Sequence, residues 1–133
     1  MFKCAFYEKE ITPPLGCHIP GYFNIRRGSD VKDRLMVKAC VISDGKETVA
    51  LIAIDACFIV YEIRNNIAKR VSEYTGIKPE NVLVAATHSH TGIPLYGFDR
   101  DAEAVKNQEG YFYLIPKLIA DCAILAYKRL EES

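Results

Sequence analysis

Apolar positions along the chain change their period several times, and each change marks an element. Phe2 to Glu10 alternates weakly between apolar and polar residues and predicts a strand, after which Ile11-Thr-Pro-Pro-Leu-Gly16 breaks any regular structure. From Pro13 to Lys32 the residues Gly, Pro, Asn, Ser and Asp recur, which predicts a long surface loop. Loops of about 15 residues or more inside a compact domain are often functional. Met36 to Ser43 and Thr48 to Asp55 are apolar runs joined by the turn dipeptide Asp44-Gly45, a β-hairpin signal. The unbroken Val49-Ala-Leu-Ile-Ala-Ile54 run predicts a strand buried on both faces.

Beyond the hairpin the period shifts to that of a helix. Ile63, Ile67, Val71 and Tyr74 recur at helical spacing, with Arg64, Lys69 and Glu73 on other faces and Gly76 as the stop. A turn at Pro79-Glu80-Asn81 leads into an apolar strand, Val82 to Ala86. Strand, helix, strand in that order predicts a βαβ unit with Thr48 to Asp55 and Val82 to Ala86 parallel. A second helix is predicted from about Tyr111 to Leu130, with Tyr111, Ile115, Leu118, Cys122 and Leu125 as its apolar stripe and Pro116 either kinking it or marking a late start. The fold class is therefore α/β: a mixed sheet with a β-hairpin and a βαβ unit, and two main helices. Residues 1–133 read as a single domain without repeat or linker.

Composition removes several function classes. Lysine plus arginine balances aspartate plus glutamate at 17 each, so the basic excess that captures phosphates is missing and no nucleic-acid partner is expected. The Arg26-Arg27 pair is too short to be a basic stripe and reads as a solvated loop. No leader opens the chain and no apolar run approaches the roughly 20 residues of a membrane span, so no transmembrane segment is expected. Five cysteines, scattered and without CxxC spacing, argue against a disulfide framework or a zinc knuckle. Cys40, Cys57 and Cys122 sit among apolar residues and read as small buried thiols, and a reducing cytoplasm follows as the expected location.

The chemistry concentrates in Val82-Leu-Val-Ala-Ala-Thr-His-Ser-His-Thr-Gly-Ile-Pro94, which carries two of the three histidines, His88 and His90. In an extended strand residues two apart point to one side, so the two imidazoles share a neighbourhood if the strand conformation persists through Ser89. In open α/β sheets ligands bind beyond the carboxyl ends of parallel strands. The partner strand ends in Ile54-Asp55-Ala56-Cys57, which brings Asp55 to the same edge. Imidazole is the commonest zinc ligand, and a carboxylate nearby either ligates or orients a histidine. The plainer readings stand beside these: histidines at a strand end bond to backbone or water, and Asp55 caps the following helix. His18, in Gly16-Cys-His-Ile-Pro20, reads as a loop residue. Metallo-β-lactamase-like hydrolases follow their HxH with aspartate and histidine, whereas this chain continues Thr91-Gly-Ile-Pro94. Amidohydrolase barrels need about 250 residues.

Taken in order, Glu10-Ile-Thr-Pro-Pro-Leu-Gly16, Gly21-Tyr22, Ile54-Asp55 and Asn81-Val-Leu-Val-Ala-Ala-Thr-His-Ser-His-Thr-Gly92 resemble the amino-terminal region of the neutral/alkaline, non-lysosomal ceramidase family. The most specific element is Ala86-Thr-His-Ser-His-Thr-Gly92 followed by Pro94, similar to the family's Thr-His-Thr-His-Ser-Gly-Pro with one residue inserted before the proline.

The resemblance implies a zinc-dependent amidase acting on N-acyl sphingoid bases or a related amide, so a small-molecule or lipid amide is the expected partner. It makes His88 a zinc ligand and sets His90 beside the metal as a catalytic residue that binds or polarises the reacting group. The family's remaining ligands, a second histidine, a glutamate and a tyrosine, lie downstream of the region matched. The chain is accordingly expected to be part of a larger α/β catalytic domain, to be inactive alone, to bind zinc weakly, and to be open to self-association through an exposed edge.

Overall fold

The hairpin and the βαβ unit share one sheet. In the computed structural model, which describes residues 1–96 and 101–132, strands β1 (Lys3–Glu10), β2 (Met36–Ser43), β3 (Thr48–Ile54) and β4 (Val82–Ala86) lie side by side in chain order. β1 with β2 and β2 with β3 are antiparallel, and β3 with β4 is parallel, with Ala50 opposite Val82 and Ile54 opposite Ala86. The β2–β3 turn forms where Asp44-Gly45 predicts it. Gly45 has φ 92°, and Asp44 Oδ1 accepts the amides of Lys46 and Glu47, each at 2.8 Å. Those amides, Glu47's first, hold the Asp44 carboxyl below its ordinary range.

The crossover between β3 and β4 is α1 (Tyr61–Thr75), followed by a single 3₁₀ turn at Pro79–Asn81. Ile63, Ile67, Ala68 and Val71 form its buried face. Tyr74, grouped with that face by spacing, is 62% exposed and instead lies under the guanidinium of Arg70, 4.8 Å from the ring centroid. Gly76 ends the helix at φ 78°, and its N–H bonds to Ser72 O. Arg70 also reaches Asp121 at 2.9 Å, tying α1 to the last helix.

That helix, α2 (Ala102–Glu132), begins nine residues before the predicted Tyr111 and runs through Pro116 without a late start. Its first turns are polar, so no apolar period announces them. Asp101 organises them: its Oδ1 accepts the Ala104 amide at 3.2 Å and its carbonyl accepts Val105 N at 3.0 Å. The buried stripe falls on Ile115, Ile119, Cys122, Ala126 and Leu130, while Leu118 and Leu125 are half-buried. By length and composition Gly110–Glu132 is sufficient to cross a membrane. Here that stretch lies on β1 and β2 as a core helix.

Both helices cover the same side of the sheet. β3 accordingly alternates, with Ala50, Ile52 and Ile54 buried and Leu51 and Ala53 exposed, so the expectation of a strand buried on both faces is incorrect. Unbroken apolarity looks like two-sided burial, but the second side has no covering layer among the described residues. Register aligns Phe6, Cys40, Leu51 and Leu83 in one row across that open side, with Phe6 65% and Leu83 60% exposed. Cys40 is for this reason only half-buried, with its Sγ 3.5 Å from that of Cys4.

Candidate metal centre

The site is made where the parallel pair β3–β4 runs out. Thr87 N bonds to Ile54 O at 2.9 Å, extending the ladder one step past β4, and the chain then leaves the sheet. Extended conformation does not persist: His88 has φ 62°, the left-handed region that β-carbon-bearing residues seldom occupy. Ser89 N bonds to Ala56 O, and Ile93 returns to bridge Ala56, so residues 88 to 92 form a bend projecting from the carboxyl end of the strands. Gly92 is required at its base, since a β-carbon there would lie 2.6 Å from Asp55 O and 2.7 Å from Ala56 Cα.

His88 and His90 meet across this bend by a turn rather than by strand periodicity. Their ring centroids are 5.0 Å apart at 81°, their Nε2 atoms are 3.4 Å apart, and both side chains are exposed. His88 Nδ1 lies 2.8 Å from the carbonyl oxygen of Cys57. A carbonyl only accepts, so Nδ1 carries the proton and Nε2 keeps its lone pair, which accepts from His90 Nε2 here and is the one a metal ligand needs. His90 is positioned by the long loop of residues 13–32. Its ring packs on Gly21, its edge meets Tyr22 at a centroid distance of 5.6 Å, and its carbonyl accepts a hydrogen bond from Arg26. Arg26 also lies 3.9 Å over the Tyr22 ring and donates to Pro20 O at 3.3 Å.

Asp55 is at the same edge but is already engaged. Its Oδ2 accepts Met36 N at 2.8 Å and its Oδ1 accepts the Thr87 hydroxyl at 3.2 Å, so it ties β2 to the end of β4 and orients neither histidine. It does not cap α1, whose N-cap residue is Val60. His18 is buried in the loop, bridged through its backbone to Arg27, and lies outside the histidine cluster.

One residue that the sequence reading set aside is present instead. Cys57, read as an inert buried thiol, is indeed buried, yet one ligand atom each from Cys57, His88 and His90 lie within 4.8 Å of one another. The signal was its place two residues beyond Asp55 at the strand end, where side chains turn toward the neighbouring strand's exit. Tyr96, stacked on Phe58 at 3.6 Å, shares a hydrogen bond with the Cys57 thiol; burial first, then that bond, pushes its hydroxyl up to about 12. The donors fit zinc, since two nitrogens on a tetrahedral ion with bonds of about 2.0–2.1 Å are about 3.3 Å apart.

Two of the hollows among the described residues flank the fold. The larger, about 970 Å³, lies between α1 and α2 away from the histidines. The smaller, about 320 Å³, lies under the long loop and is lined by Pro13, Leu15, Ile19 and Leu35 with Thr91 and Gly92, directly after His90. Chemistry follows adjacency rather than size here, so the smaller hollow is the one belonging to the site.

Comparison with known proteins agrees with this geometry. The chain is 30% identical over 94 residues to neutral ceramidases of Drosophila pseudoobscura pseudoobscura and Drosophila melanogaster, a match spanning 67% of this chain and 13% of each relative. The crystal structure of neutral ceramidase from Pseudomonas aeruginosa superposes with a TM-score of 0.73 at 20% identity, covering 98% of this chain and 21% of that one. A ceramidase complexed with C2 gives 0.69 at 19% identity over the same shares. These structures share the fold, and the chain spans about a fifth of their length. Residues 8–127, including the whole bend, match the family described as neutral/alkaline non-lysosomal ceramidase, N-terminal, and the chain belongs to that family.

Proposed function

We propose that this chain forms the histidine-bearing corner of a zinc-dependent amidase that cleaves the amide of N-acyl sphingoid bases or a related lipid amide. The observation that carries the reading is the pair of Nε2 atoms 3.4 Å apart, with His88 held as the Nδ1–H tautomer by the Cys57 carbonyl. When bound, zinc supplies Lewis acidity toward the amide carbonyl and toward water. His88 offers its Nε2 lone pair to the ion. His90, fixed from behind by Gly21 and Tyr22, presents Nε2 to the same point and binds or polarises the reacting group. The hollow bordered by Thr91 and Gly92, the two residues after His90, has apolar walls of Pro13, Leu15, Ile19 and Leu35, a suitable place for part of an acyl or sphingoid chain. Five free thiols support a reducing location such as the cytoplasm.

Amide hydrolysis needs fixed metal geometry, an open coordination position and a wall holding the carbonyl within about 3 Å of the nucleophile. The bend supplies the first elements of that set, so the chain alone is expected to be silent. The test is zinc-supplemented assay of a fluorogenic N-acyl sphingosine by the chain and by a form extended through any coding sequence that follows Ser133. Chelator-sensitive turnover by the longer form, abolished in His88→Ala, is the expected result. Inactivity of both forms would reject the amidase in favour of a non-catalytic α/β module with metal-binding or structural histidines.

A further inference from the structure

We propose that Cys4 and Cys40 are a reversible redox pair, closing by reaction with a peroxide into a disulfide that locks the edge strand β1 onto β2. The inference is independent of any metal, since neither thiol belongs to the histidine cluster.

Sheet register brings the two sulfurs together. Cys4 pairs with Ile42 and Cys40 with Phe6, so the cysteines are diagonal neighbours across two antiparallel strands. Alternation along each strand sends both side chains to the open side of the sheet. Their Sγ atoms lie 3.5 Å apart, a contact across 36 residues of chain. Disulfide sulfurs are about 2.05 Å apart, so closure asks for about 1.5 Å of approach. Diagonal neighbours sit farther apart than directly opposed ones, so the bond forms under some strain. Exposed or strained disulfides are the labile kind that cellular thiols reopen. Cys17, Cys57 and Cys122 are buried, which keeps an oxidant from them.

The two thiols differ in the way such chemistry uses. Burial first, then the hydrogen bond to Cys4, pushes the Cys40 thiol up to about 11, so it holds its proton at neutral pH. Cys4 is the exposed member and meets the oxidant. Its sulfur attacks one oxygen of hydrogen peroxide, the O–O bond breaks, and Cys4 becomes a sulfenic acid with release of one water. Cys40 then attacks the Cys4 sulfur, and its proton leaves with the displaced hydroxide as a second water. Two thiols and one peroxide thus give one disulfide and two waters.

The ring closed by this bond runs from Cys4 to Cys40 and encloses the whole loop of residues 13–32, whose Gly21 and Tyr22 back the His90 ring. A cross-link constrains the unfolded chain more the longer the loop it closes, so oxidation raises stability. β1 is an edge of the sheet and gains most from being tied to its neighbour. In a reducing compartment such a bond is transient, a response to oxidation rather than a permanent staple.

The test is treatment of the purified chain with hydrogen peroxide, then alkylation of the remaining thiols in denaturant and peptide mass spectrometry. Three of the five cysteines should still alkylate, with the Cys4 and Cys40 peptides joined and separated again by dithiothreitol. The oxidised chain should unfold at higher urea concentration than the reduced one, and its β1 amides should exchange more slowly with deuterium. Cys40→Ser should stop at the Cys4 sulfenic acid, captured by dimedone, and Cys4→Ser should leave Cys40 unreacted; neither should show the urea shift. Cys40 is half-buried and its variant can misfold, so the linkage map of the unaltered chain and the exposed Cys4→Ser decide the matter without it. A bond between two chains, a bond to a buried cysteine, oxygen added to Cys4 with Cys40 still free, or five alkylatable thiols would each overturn the pairing. Linkage without a rise in the urea midpoint would overturn the lock on β1.

Discussion

A β-carbon placed on Gly21 would fall 2.7 Å from Nδ1 of His90, and the φ of Gly21 is 110°, so this glycine is required twice over, by its backbone and by the imidazole it supports. Gly21→Ala is expected to lower stability by about 2 kcal/mol or more, combining a left-handed backbone penalty with overpacking. It should also push the His90 ring off the shared point and weaken zinc binding, though by less than the loss of His88 does. Urea denaturation and calorimetric zinc titration measure the two effects separately. Unchanged zinc affinity in a folded Gly21→Ala chain would show that the loop does not position His90.

The two histidines should differ in what they contribute. His88 is anchored by a hydrogen bond to the Cys57 carbonyl at 2.8 Å, whereas His90 is held by packing. His88→Ala should therefore lose more zinc affinity than His90→Ala. Equal losses in calorimetry would contradict the division of roles between ligand and neighbouring imidazole.

Much of this arrangement is legible in the amino-acid order, and the exceptions share a cause. The hairpin, the parallel crossover and the place of the histidines just past a strand end follow from local signals, Asp44-Gly45, the spacing of Ile63, Ile67 and Val71, and an apolar strand ending in polar residues, whereas the bend that brings the two rings together does not. What local signals cannot report is which elements lie on which side. The open face beside Leu51 is hidden in a continuous apolar run, since such a run looks the same whether one layer covers it or two. The start of α2 at Ala102 depends on Asp101 being held by Arg27, 74 residues earlier. The nearness of Cys57 to the two imidazoles is unannounced for the same reason: a thiol buried in the core and one buried beside a site have one sequence signature and differ only in their neighbours.

That Arg27–Asp101 clasp carries a pH signature. Arg27 Nε and one terminal nitrogen reach the two Asp101 oxygens at 2.7 and 2.6 Å, and this pairing, opposed by desolvation, lowers the carboxyl from 3.8 to about 2. A folded-state value below the unfolded one stabilises the fold at pH above about 4, and that contribution is lost as pH falls through about 2. Asp101→Asn should flatten the dependence of the urea midpoint on pH across that window and reduce helical circular dichroism from the first turns of α2. A slope identical to that of the unaltered chain would mean that Asp101 is not the group responsible.

Adjacent residues on β3 should respond in opposite ways to truncation. Ile52 is 2% exposed, and Ile52→Ala is expected to cost about 2–5 kcal/mol from lost burial and the cavity left behind. Leu51 is 40% exposed on the open side, and Leu51→Thr should change stability by no more than about 0.5 kcal/mol. The same Leu51→Thr, combined with Leu83→Thr, should reduce self-association measured by light scattering, because it breaks the exposed apolar row. Unaltered scattering would place any self-association at the β4 edge instead.

The φ of 62° at His88 sets two kinds of selection against each other at one codon. Judged by folding alone, the position favours glycine or asparagine, which accept left-handed backbone at little cost. An imidazole retained there is kept for something other than stability. A laboratory selection for thermostability, run without a demand for metal binding, would therefore be expected to replace His88 early, and the variants that survive heating best would be those that have lost the site.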